Sequence, residues 1–204
     1  GSSVNRDGSA NTSLIVRVRD IENLSQYLGG GRNGTLFVTA NGTNTFVVDS
    51  NTTTNTTGHL VFDFNPSCTY DTGDHNWIIG IKDDVCYLDA NITASVVSII
   101  GQLRNNLLNP LAGQQFNVSS QILVRFNTTS DCTGSRSDEV VIANATATIE
   151  LQEPQTGTFY ACSPVNNQTA NETAGHFNCT FNSTGRKEGN WSVQLNTTKG
   201  NFNA

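Results

Sequence analysis

The sequence predicts an all-β protein built from two consecutive β-sandwiches. Apolar and polar residues alternate along most of the chain, which is the pattern of strands that bury one face. Turn residues separate these runs about every ten positions, and Asn41-Gly42 between two apolar runs is a strong hairpin pattern. The chain has 204 residues, enough for two sandwiches of about 100 residues each.

Each half of the chain holds six alternating segments that we predict to be strands. In the first half they are residues 14–18, 36–38, 46–48, 60–64, 77–81 and 85–88. In the second half they are residues 122–126, 140–142, 147–151, 159–162, 177–181 and 191–195. Short polar turns join neighbouring segments, such as Lys82-Asp83-Asp84 before the segment 85–88.

The segment between the halves has apolar residues at helical spacing. They are Val96, Val97, Ile100, Leu103, Leu107 and Leu111, and the pattern meets Asn109-Pro110 near its end. Because β-branched residues at its start are typical of strands, the sequence leaves open one short helix or two buried strands. We place the domain boundary here. The predicted organisation is an N-terminal extension at 1–20, a first sandwich at 21–110 and a second at 111–204.

Charge and hydropathy argue against two classes of partner. The 17 acidic and 11 basic residues give a net charge of −6, spread along the chain without a basic cluster in sequence. A nucleic-acid partner is therefore not expected. No apolar stretch is long enough to span a membrane, so no membrane span is expected either.

The tripeptide Asn-x-Ser/Thr, the acceptor of N-linked glycan in secreted proteins, is strongly over-represented. Random placement of the same residues would give about a third as many sites. The acceptors are Asn11, Asn23, Asn33, Asn41, Asn51, Asn55, Asn91, Asn117, Asn127, Asn144, Asn167, Asn171, Asn178, Asn182, Asn190 and Asn196. The excess predicts a secreted, extracellular protein that carries covalent N-glycans.

Strand parity predicts where two of these glycans point. In the segment 177–181, the two phenylalanines and Cys179 share one face, so Asn178 and Thr180 share the other. The same alternation places Asn144 opposite Ala145. We expect both asparagines to face solvent.

Five cysteines in a secreted chain indicate disulfides with one sulfur left over. Fifteen pairings into two bridges are possible. We favour Cys162 with Cys179 and Cys68 with Cys86, because each pair brackets a short segment that has the pattern of a hairpin or loop. Cys132 would then be free, buried or bonded between chains.

Residues with catalytic or metal-binding chemistry form no recognisable motif. A glycosidase requires two carboxylates across a cleft, and nothing marks any glutamate for this role. The candidates would be Glu139, Glu150, Glu153, Glu172 and Glu188. The oxygen-rich loop that holds Asp71, Asp74 and His75, together with Asp63, matches no calcium loop and is interpreted as a polar turn. We therefore expect no enzyme activity, no metal and no cofactor.

Each half carries a tryptophan and two nearby cysteines, and in this respect resembles immunoglobulin-like and fibronectin-type-III-like domains. The resemblance implies two tandem immunoglobulin-like β-sandwiches. The chain departs from the immunoglobulin pattern, which has a core Trp between two distant cysteines. Here Trp77 lies between Cys68 and Cys86, only 18 positions apart, and Trp191 follows both Cys162 and Cys179. The architecture is therefore implied without the signature disulfide.

The whole chain also resembles glycosylated two-domain proteins that build thin extracellular fibrils, in which an N-terminal strand of one subunit completes the sheet of the next. Residues 14–20 match that strand. The resemblance implies a structural subunit of an extracellular filament or matrix, a homopolymer that assembles head-to-tail. The implied subunit interface comprises Leu14, Ile15, Val16 and Val18.

The residues themselves support this expectation for the N-terminal strand. Leu14, Val16 and Val18 alternate with Arg17 and Arg19, so one face requires burial and the other solvent. A long polar, Gly-rich stretch at 23–34 separates the strand from the next apolar run and is too long for a hairpin. We therefore expect the strand to pair with another copy of the chain rather than to close its own sheet.

The alternative is a cell-surface adhesin or receptor ectodomain that binds a protein or carbohydrate ligand. Tyr27, Tyr70 and Tyr87 are candidates for its binding surface, and packing in the core or at an edge is the other role open to them.

Overall fold

The computed structural model describes residues 2–6, 10–23, 26–40, 45–132, 142, 145–167 and 175–203. These residues form strands and no helix, so the predicted all-β class is confirmed. None of them forms a helix that could cross a membrane. The chain divides into two compact units, Gly1–Gly101 (unit 1) and Gln102–Ala204 (unit 2).

Unit 1 is a sandwich of a larger and a smaller sheet. Its strands are β1 (Ser2–Asn5), β2 (Thr12–Arg17), β3 (Asn33–Thr39), β4 (Phe46–Thr53), β5 (His59–Phe64), β6 (Gly73–Ile81), β7 (Ala90–Asn91) and the first part of β8 (Ser95–Asn109). The larger sheet has the order β4-β3-β6-β8, with β7 on β6 and β1 parallel to β8. The smaller sheet is the antiparallel pair of β2 and β5.

The core of unit 1 lies between these two sheets. Leu36 and Ile79 from the larger sheet are fully buried, as is Leu60 from the smaller one. The N-terminal segment adds Val4 from β1 and Leu14 from β2 to the same cluster. Residues 2–17 therefore contribute one strand to each sheet.

Two buried polar side chains support this core. Arg6 is 2% exposed, and its Nη1 donates to the carbonyl oxygen of Tyr70 at 3.0 Å. His75 is also buried, and its two ring nitrogens face the carbonyl oxygens of Thr39 and Asp71. The ring of Tyr70 meets the His75 ring edge-on at 6.0 Å. Because buried polar groups need hydrogen-bond partners, these contacts fix the chain around β6.

Unit 2 is a second sandwich. Its strands are the last part of β8, β9 (Gln121–Ser130), β10 (Thr146–Gln152), β11 (Phe159–Ala161), β12 (Asn166–Asn167), β13 (His176–Asn182), β14 (Ser192–Thr198) and β15 (Phe202–Asn203). One sheet has the order β12-β13-β9-β8, and β15 also pairs with β8. The other sheet has the order β11-β10-β14.

The core of unit 2 combines aromatic packing with a polar network. Phe126 and Phe177 stack with ring centroids 5.2 Å apart, and Ile149 and Leu151 of β10 complete the same cluster. At one side of the core, Asn105 Oδ1 accepts from two buried hydroxyls, Thr128 at 2.7 Å and Thr197 at 2.9 Å. A buried hydroxyl without an acceptor is costly, so Asn105 is a structural residue.

The junction segment is a single strand, so the helix alternative is wrong and the alternative of two strands is correct only in type. Ser95–Asn109 forms β8, in which Val97, Ile99, Gly101 and Leu103 are buried at every second position. This strand has apolar residues on both faces, and taken together they fall at the spacing of a helix. The division between the two units falls inside β8, after Gly101.

The predicted strand at 85–88 is also wrong. Val85 is 96% and Leu88 92% exposed, and no strand covers this segment. Carboxylates hold it as a turn instead: Asp84 accepts from the amide of Cys86 at 2.9 Å, and Asp89 from the amide of Asp83 at 3.0 Å. Short polar residues that bond the local backbone favour turns over strands.

The predicted hairpin around Asn41-Gly42 has its flanking strands in place, because β3 and β4 pair antiparallel. The turn itself lies outside the described residues. Most of the predicted strand at 140–142 also lies outside them.

Candidate functional site

The glycan acceptors lie mostly at the surface. Of the acceptor side chains that the structure describes, ten are exposed and those of Asn127 and Asn178 are half-buried. The exposed ones are Asn11, Asn23, Asn33, Asn51, Asn55, Asn91, Asn117, Asn182, Asn190 and Asn196. The side chains of Asn41, Asn144, Asn167 and Asn171 lie outside the described residues. Both units present exposed acceptors.

At three acceptors, the local hydrogen bonds use the side-chain oxygen. Asn55 Oδ1 accepts from the amide of Thr57 at 3.0 Å and from its hydroxyl at 2.8 Å. Asn182 Oδ1 accepts from the amide of Thr184 at 3.0 Å, and Asn51 Oδ1 accepts from the hydroxyl of Thr35 at 2.7 Å. Glycan attaches to the amide nitrogen, so these contacts are compatible with a glycan at each position.

The two half-buried acceptors differ. Asn178 lies on the face of β13 opposite buried Phe177, Cys179 and Phe181, which confirms the predicted strand parity. Asn127 lies in β9, and its Oδ1 is buried without a hydrogen-bond partner. An unsatisfied buried oxygen is unfavourable, and Asn127 is the one described acceptor that has such an oxygen.

Cys162 and Cys179 form a disulfide, the first of the two pairs that the sequence favoured. Cys162 directly follows β11, in the sheet β11-β10-β14, whereas Cys179 lies in β13 of the other sheet. The bond therefore joins the two sheets of unit 2 instead of closing a hairpin. A disulfide is compatible with an oxidising, extracellular environment.

The predicted disulfide between Cys68 and Cys86 is wrong. Cys86 is free and exposed, whereas Cys68 and Cys132 are both disulfide-bonded. Cys68 precedes the nine-residue strand β6 and Cys86 follows it. Such a strand spans about 26 Å, whereas bonded cysteines have Cα atoms about 4.4–6.8 Å apart. The odd cysteine is Cys86, not Cys132.

In the single chain, the N-terminal strand pairs with a strand of its own unit, and its pairing with another copy stays a prediction. In β2, Leu14 pairs with Phe62 of β5 and Ile15 with Val61. Leu14 is 3% exposed and Val16 and Val18 are half-buried in the core, whereas Ile15 is 52% exposed. The alternation was predicted correctly, but the partner is β5, a strand distant in sequence. Local sequence patterns do not indicate so distant a partner.

Three of the candidate carboxylates form hydrogen bonds with nearby groups, whereas Glu150 is half-buried in β10 and Glu188 is exposed. Glu153 is 4% exposed and accepts from the Thr156 hydroxyl at 2.6 Å and from the amide of Lys187 at 3.3 Å. These bonds, with that from Thr156 the stronger, lower the pKa of Glu153 from its ordinary value. Asp63 accepts from Ser13 at 3.0 Å and Asp74 from Ser98 at 2.5 Å. Glu139 and Glu172 lie outside the described residues.

No cluster of three or more metal-ligating side chains occurs in the described part of the chain. His75, the one histidine of the candidate oxygen-rich loop, has both ring nitrogens at backbone carbonyls, as described above.

The three candidate tyrosines separate into two groups. Tyr70 is buried, and its hydroxyl donates to Asp49 Oδ1 at 2.6 Å; burial and this carboxylate raise the pKa of Tyr70 well above its ordinary value. Tyr27 and Tyr87 are half-exposed and line one open depression with Arg32. The sequence did not indicate that arginines would join them, because these residues come together only in the fold.

Comparison with known proteins gives no family. No protein-family model and no curated protein matches the chain. Among solved structures, it is similar to a tetra-tandem repeat in the extending region of a large adhesion protein, with 12% identity and a TM-score of 0.31. It is also similar to a structure from a 1.5-MDa bacterial ice-binding adhesin that is retained on the host cell surface, with 12% identity and a TM-score of 0.28.

These likenesses extend over nearly all of this chain but only part of the others. They cover 96% of this chain and 48% of the adhesion protein structure, and 98% of this chain and 60% of the ice-binding adhesin structure. The chain therefore spans about half of the first structure and three fifths of the second.

Proposed function

We propose that this chain is an N-glycosylated module of an extracellular adhesive protein and that it acts by binding, without catalysis. The observation that carries the proposal is the pairing of β2 with β5 of the same chain, which buries Leu14. Unit 1 therefore has a complete core without a strand from a neighbour. A closed sandwich presents its loops for recognition, as other sandwich domains do.

The glycan acceptors support the extracellular location. They occur in about threefold excess over chance, and ten of those described are exposed across both units. Dense glycan would cover much of the surface and leave only a few bare regions for a ligand. The disulfide between Cys162 and Cys179 fits the same compartment.

Sedimentation velocity of the natively glycosylated chain, before and after amidase treatment, tests the proposal. We expect a monomer in both states and a mass loss equivalent to many glycans. Head-to-tail polymers in dilute solution would contradict the closed module. A mass loss of fewer than about three glycans would contradict the extracellular assignment.

A second candidate function is the filament subunit that the N-terminal strand suggested. The observation in its favour is that residues 2–17 supply one strand to each sheet of unit 1. An element of this kind can be exchanged between identical copies, and a head-to-tail exchange that does not close a ring produces a filament. Electron microscopy of native material would then show filaments, and chains without residues 1–20 would remain soluble but unable to polymerise.

A further inference from the structure

Unit 1 gathers three arginines around two tyrosines in what we call the Arg–Tyr cluster: Arg17, Arg19, Tyr27, Arg32 and Tyr87. The chain has only 11 basic residues and a net charge of −6. Because the arginines are spread over 16 positions of sequence, no basic run marks them. The antiparallel bridge between Arg19 and Tyr27, next to the end of β2, brings the tyrosine to these arginines.

Two of these arginines share one aromatic ring. The guanidinium carbon of Arg17 lies 3.1 Å from the ring centroid of Tyr27, and that of Arg19 lies 4.5 Å from it. The two cations are therefore within about 8 Å of each other. Arg17 Nε also donates to the carbonyl oxygen of Thr57 at 3.2 Å, and Arg19 donates to the Tyr27 hydroxyl. These contacts hold both guanidinium groups in place before any ligand arrives.

Neither Arg17 nor Arg19 forms an ion pair with a carboxylate of the described residues. In the described part of the chain, the ion pairs of this region are Arg32 with Asp84 at 3.8 Å and Lys82 with Asp89. Asp20 lies beside the cluster, but its Oδ1 accepts from the amides of Glu22 at 2.9 Å and Asn23 at 3.3 Å. Two like charges at this separation repel each other, and an anion between them would remove that repulsion.

A polar depression with aromatic walls shares Tyr27 with this pair, and Arg17 and Arg19 lie outside its lining. Its lining includes Asp20, Gln26, Tyr27, Gly29, Arg32 and Tyr87. Arg32 lies over the Tyr87 ring at 5.2 Å. Side-chain oxygens and amides can pair with hydroxyl groups, and the aromatic rings offer apolar surface to the faces of a sugar.

We propose that the Arg–Tyr cluster binds an acidic saccharide, with a carboxylate or sulfate of the sugar between Arg17 and Arg19. Arginine suits this role because its planar guanidinium binds such anions through two hydrogen bonds and also stacks on aromatic rings. The inference rests on the proposed adhesive function and names its ligand class. The saccharide could belong to another surface or to the N-glycans of this protein, whose acceptor Asn23 lies in the neighbouring turn.

The test is isothermal titration of the full glycosylated chain with trigalacturonic acid, a sulfated heparin disaccharide and neutral maltotriose at low salt. We expect one or both acidic saccharides to bind and maltotriose not to bind. Arg17→Gln and Arg19→Gln should each weaken binding about tenfold or more, since each removes charge-assisted hydrogen bonds. Arg104→Gln is the matched control, because Arg104 is an exposed arginine of unit 2; it should leave binding unchanged.

The inference would be overturned by no binding of either acidic saccharide before or after amidase treatment, by equal binding of maltotriose, or by equal losses in Arg17→Gln and Arg104→Gln. Binding of hexaglutamate in place of the saccharides would also overturn it and indicate a peptide ligand. Unchanged melting temperatures of the variants would exclude unfolding as the cause of any loss.

Amidase treatment distinguishes the two sources of saccharide. If the chain's own glycans occupy the cluster, their removal should increase the affinity for the acidic probe. If the ligand comes from another surface, the affinity should stay the same. Polymerisation of the chain would contradict the proposed function, whereas binding that depends on Arg17 would still support the cluster as a saccharide site.

Discussion

The two units of the chain tie their sheets together by different means. In unit 2 a covalent bond between Cys162 and Cys179 links one sheet to the other. In unit 1 the N-terminal segment has this role, because β1 joins the larger sheet and β2 the smaller one. The N-terminal segment of unit 1 therefore has the position that the disulfide has in unit 2, and noncovalent contacts hold it to both sheets.

The tryptophans allow each unit to be followed separately. The chain has two: Trp77 packs against the core of unit 1 and Trp191 against that of unit 2. Replacement of either one by Phe leaves a single fluorescence reporter. Denaturant unfolding of such variants then gives the stability of each unit.

The largest expected effect comes from the buried side chain of the N-terminal segment. Leu14→Ala should lower the free energy of unfolding of unit 1 by about 3–4 kcal/mol, because it removes a buried side chain and leaves a cavity. The Trp77 reporter should show this loss, and the Trp191 reporter should not. Ile15→Ala is the control on the same strand, since Ile15 is 52% exposed; equal effects of the two changes would show that β2 is not packed in this core.

Removal of the covalent link should have a similar but slightly smaller effect on the other unit. Cys162→Ala with Cys179→Ala opens a loop of 17 residues, which should lower the stability of unit 2 by about 3 kcal/mol. The Trp191 reporter measures the loss. A matching loss at Trp77 would mean that the two units do not unfold independently.

Smaller still is the effect of the polar network beside the core of unit 2. Asn105→Ala would leave the buried hydroxyls of Thr128 and Thr197 without their shared acceptor and should cost about 1–2 kcal/mol. Asn106→Ala, at the neighbouring exposed position, is the control. If both changes cost the same, the network has no special role in stability.

The smallest effect is the pH dependence that Glu153 gives to unit 2. Since hydrogen bonds from Thr156 and Lys187 lower its pKa in the folded state, its contribution to stability is present above the ordinary glutamate pKa of about 4.3. It is lost as pH falls through the lower folded value. Glu153→Gln should remove this part of the acid sensitivity in Trp191 unfolding curves; identical pH profiles for the variant and the original chain would contradict the role of these bonds.

Local periodicity predicted burial well in both units. The alternation in 14–18 placed Leu14 inside and Ile15 outside, and the alternation in 177–181 placed Phe177 and Cys179 inside. Such patterns depend only on the two-residue repeat of a strand, which the sequence displays directly. The all-β class and the strand parity of Asn178 followed from the same source.

Partner choice could not be predicted in the same way. The pairing of β2 with β5 and the wrong pair Cys68–Cys86 both depend on which segments meet in space, and sequence distance is a poor guide to that. The Arg–Tyr cluster has the same origin, because Arg17 and Arg32 come from different strands or loops. In β8, apolar residues lie on both faces of the strand and hide its two-residue repeat. The sequence alone therefore does not distinguish this strand from a helix.

The central claim, that the N-terminal strand closes its own sandwich, can be tested by an engineered disulfide. Ile15 and Val61 are directly paired across β2 and β5, and both side chains are exposed. In a Cys86→Ser background, Ile15→Cys with Val61→Cys should oxidise to a bond within one chain. Thr148→Cys with Asn196→Cys, an exposed pair across β10 and β14 of unit 2, is the internal control.

Non-reducing gel electrophoresis of the natively assembled, oxidised protein gives the result. We predict a single band at the mass of the monomer for both variants. A ladder of disulfide-linked multimers from the Ile15/Val61 variant alone would show that β2 inserts into a neighbouring copy and would contradict the closed module.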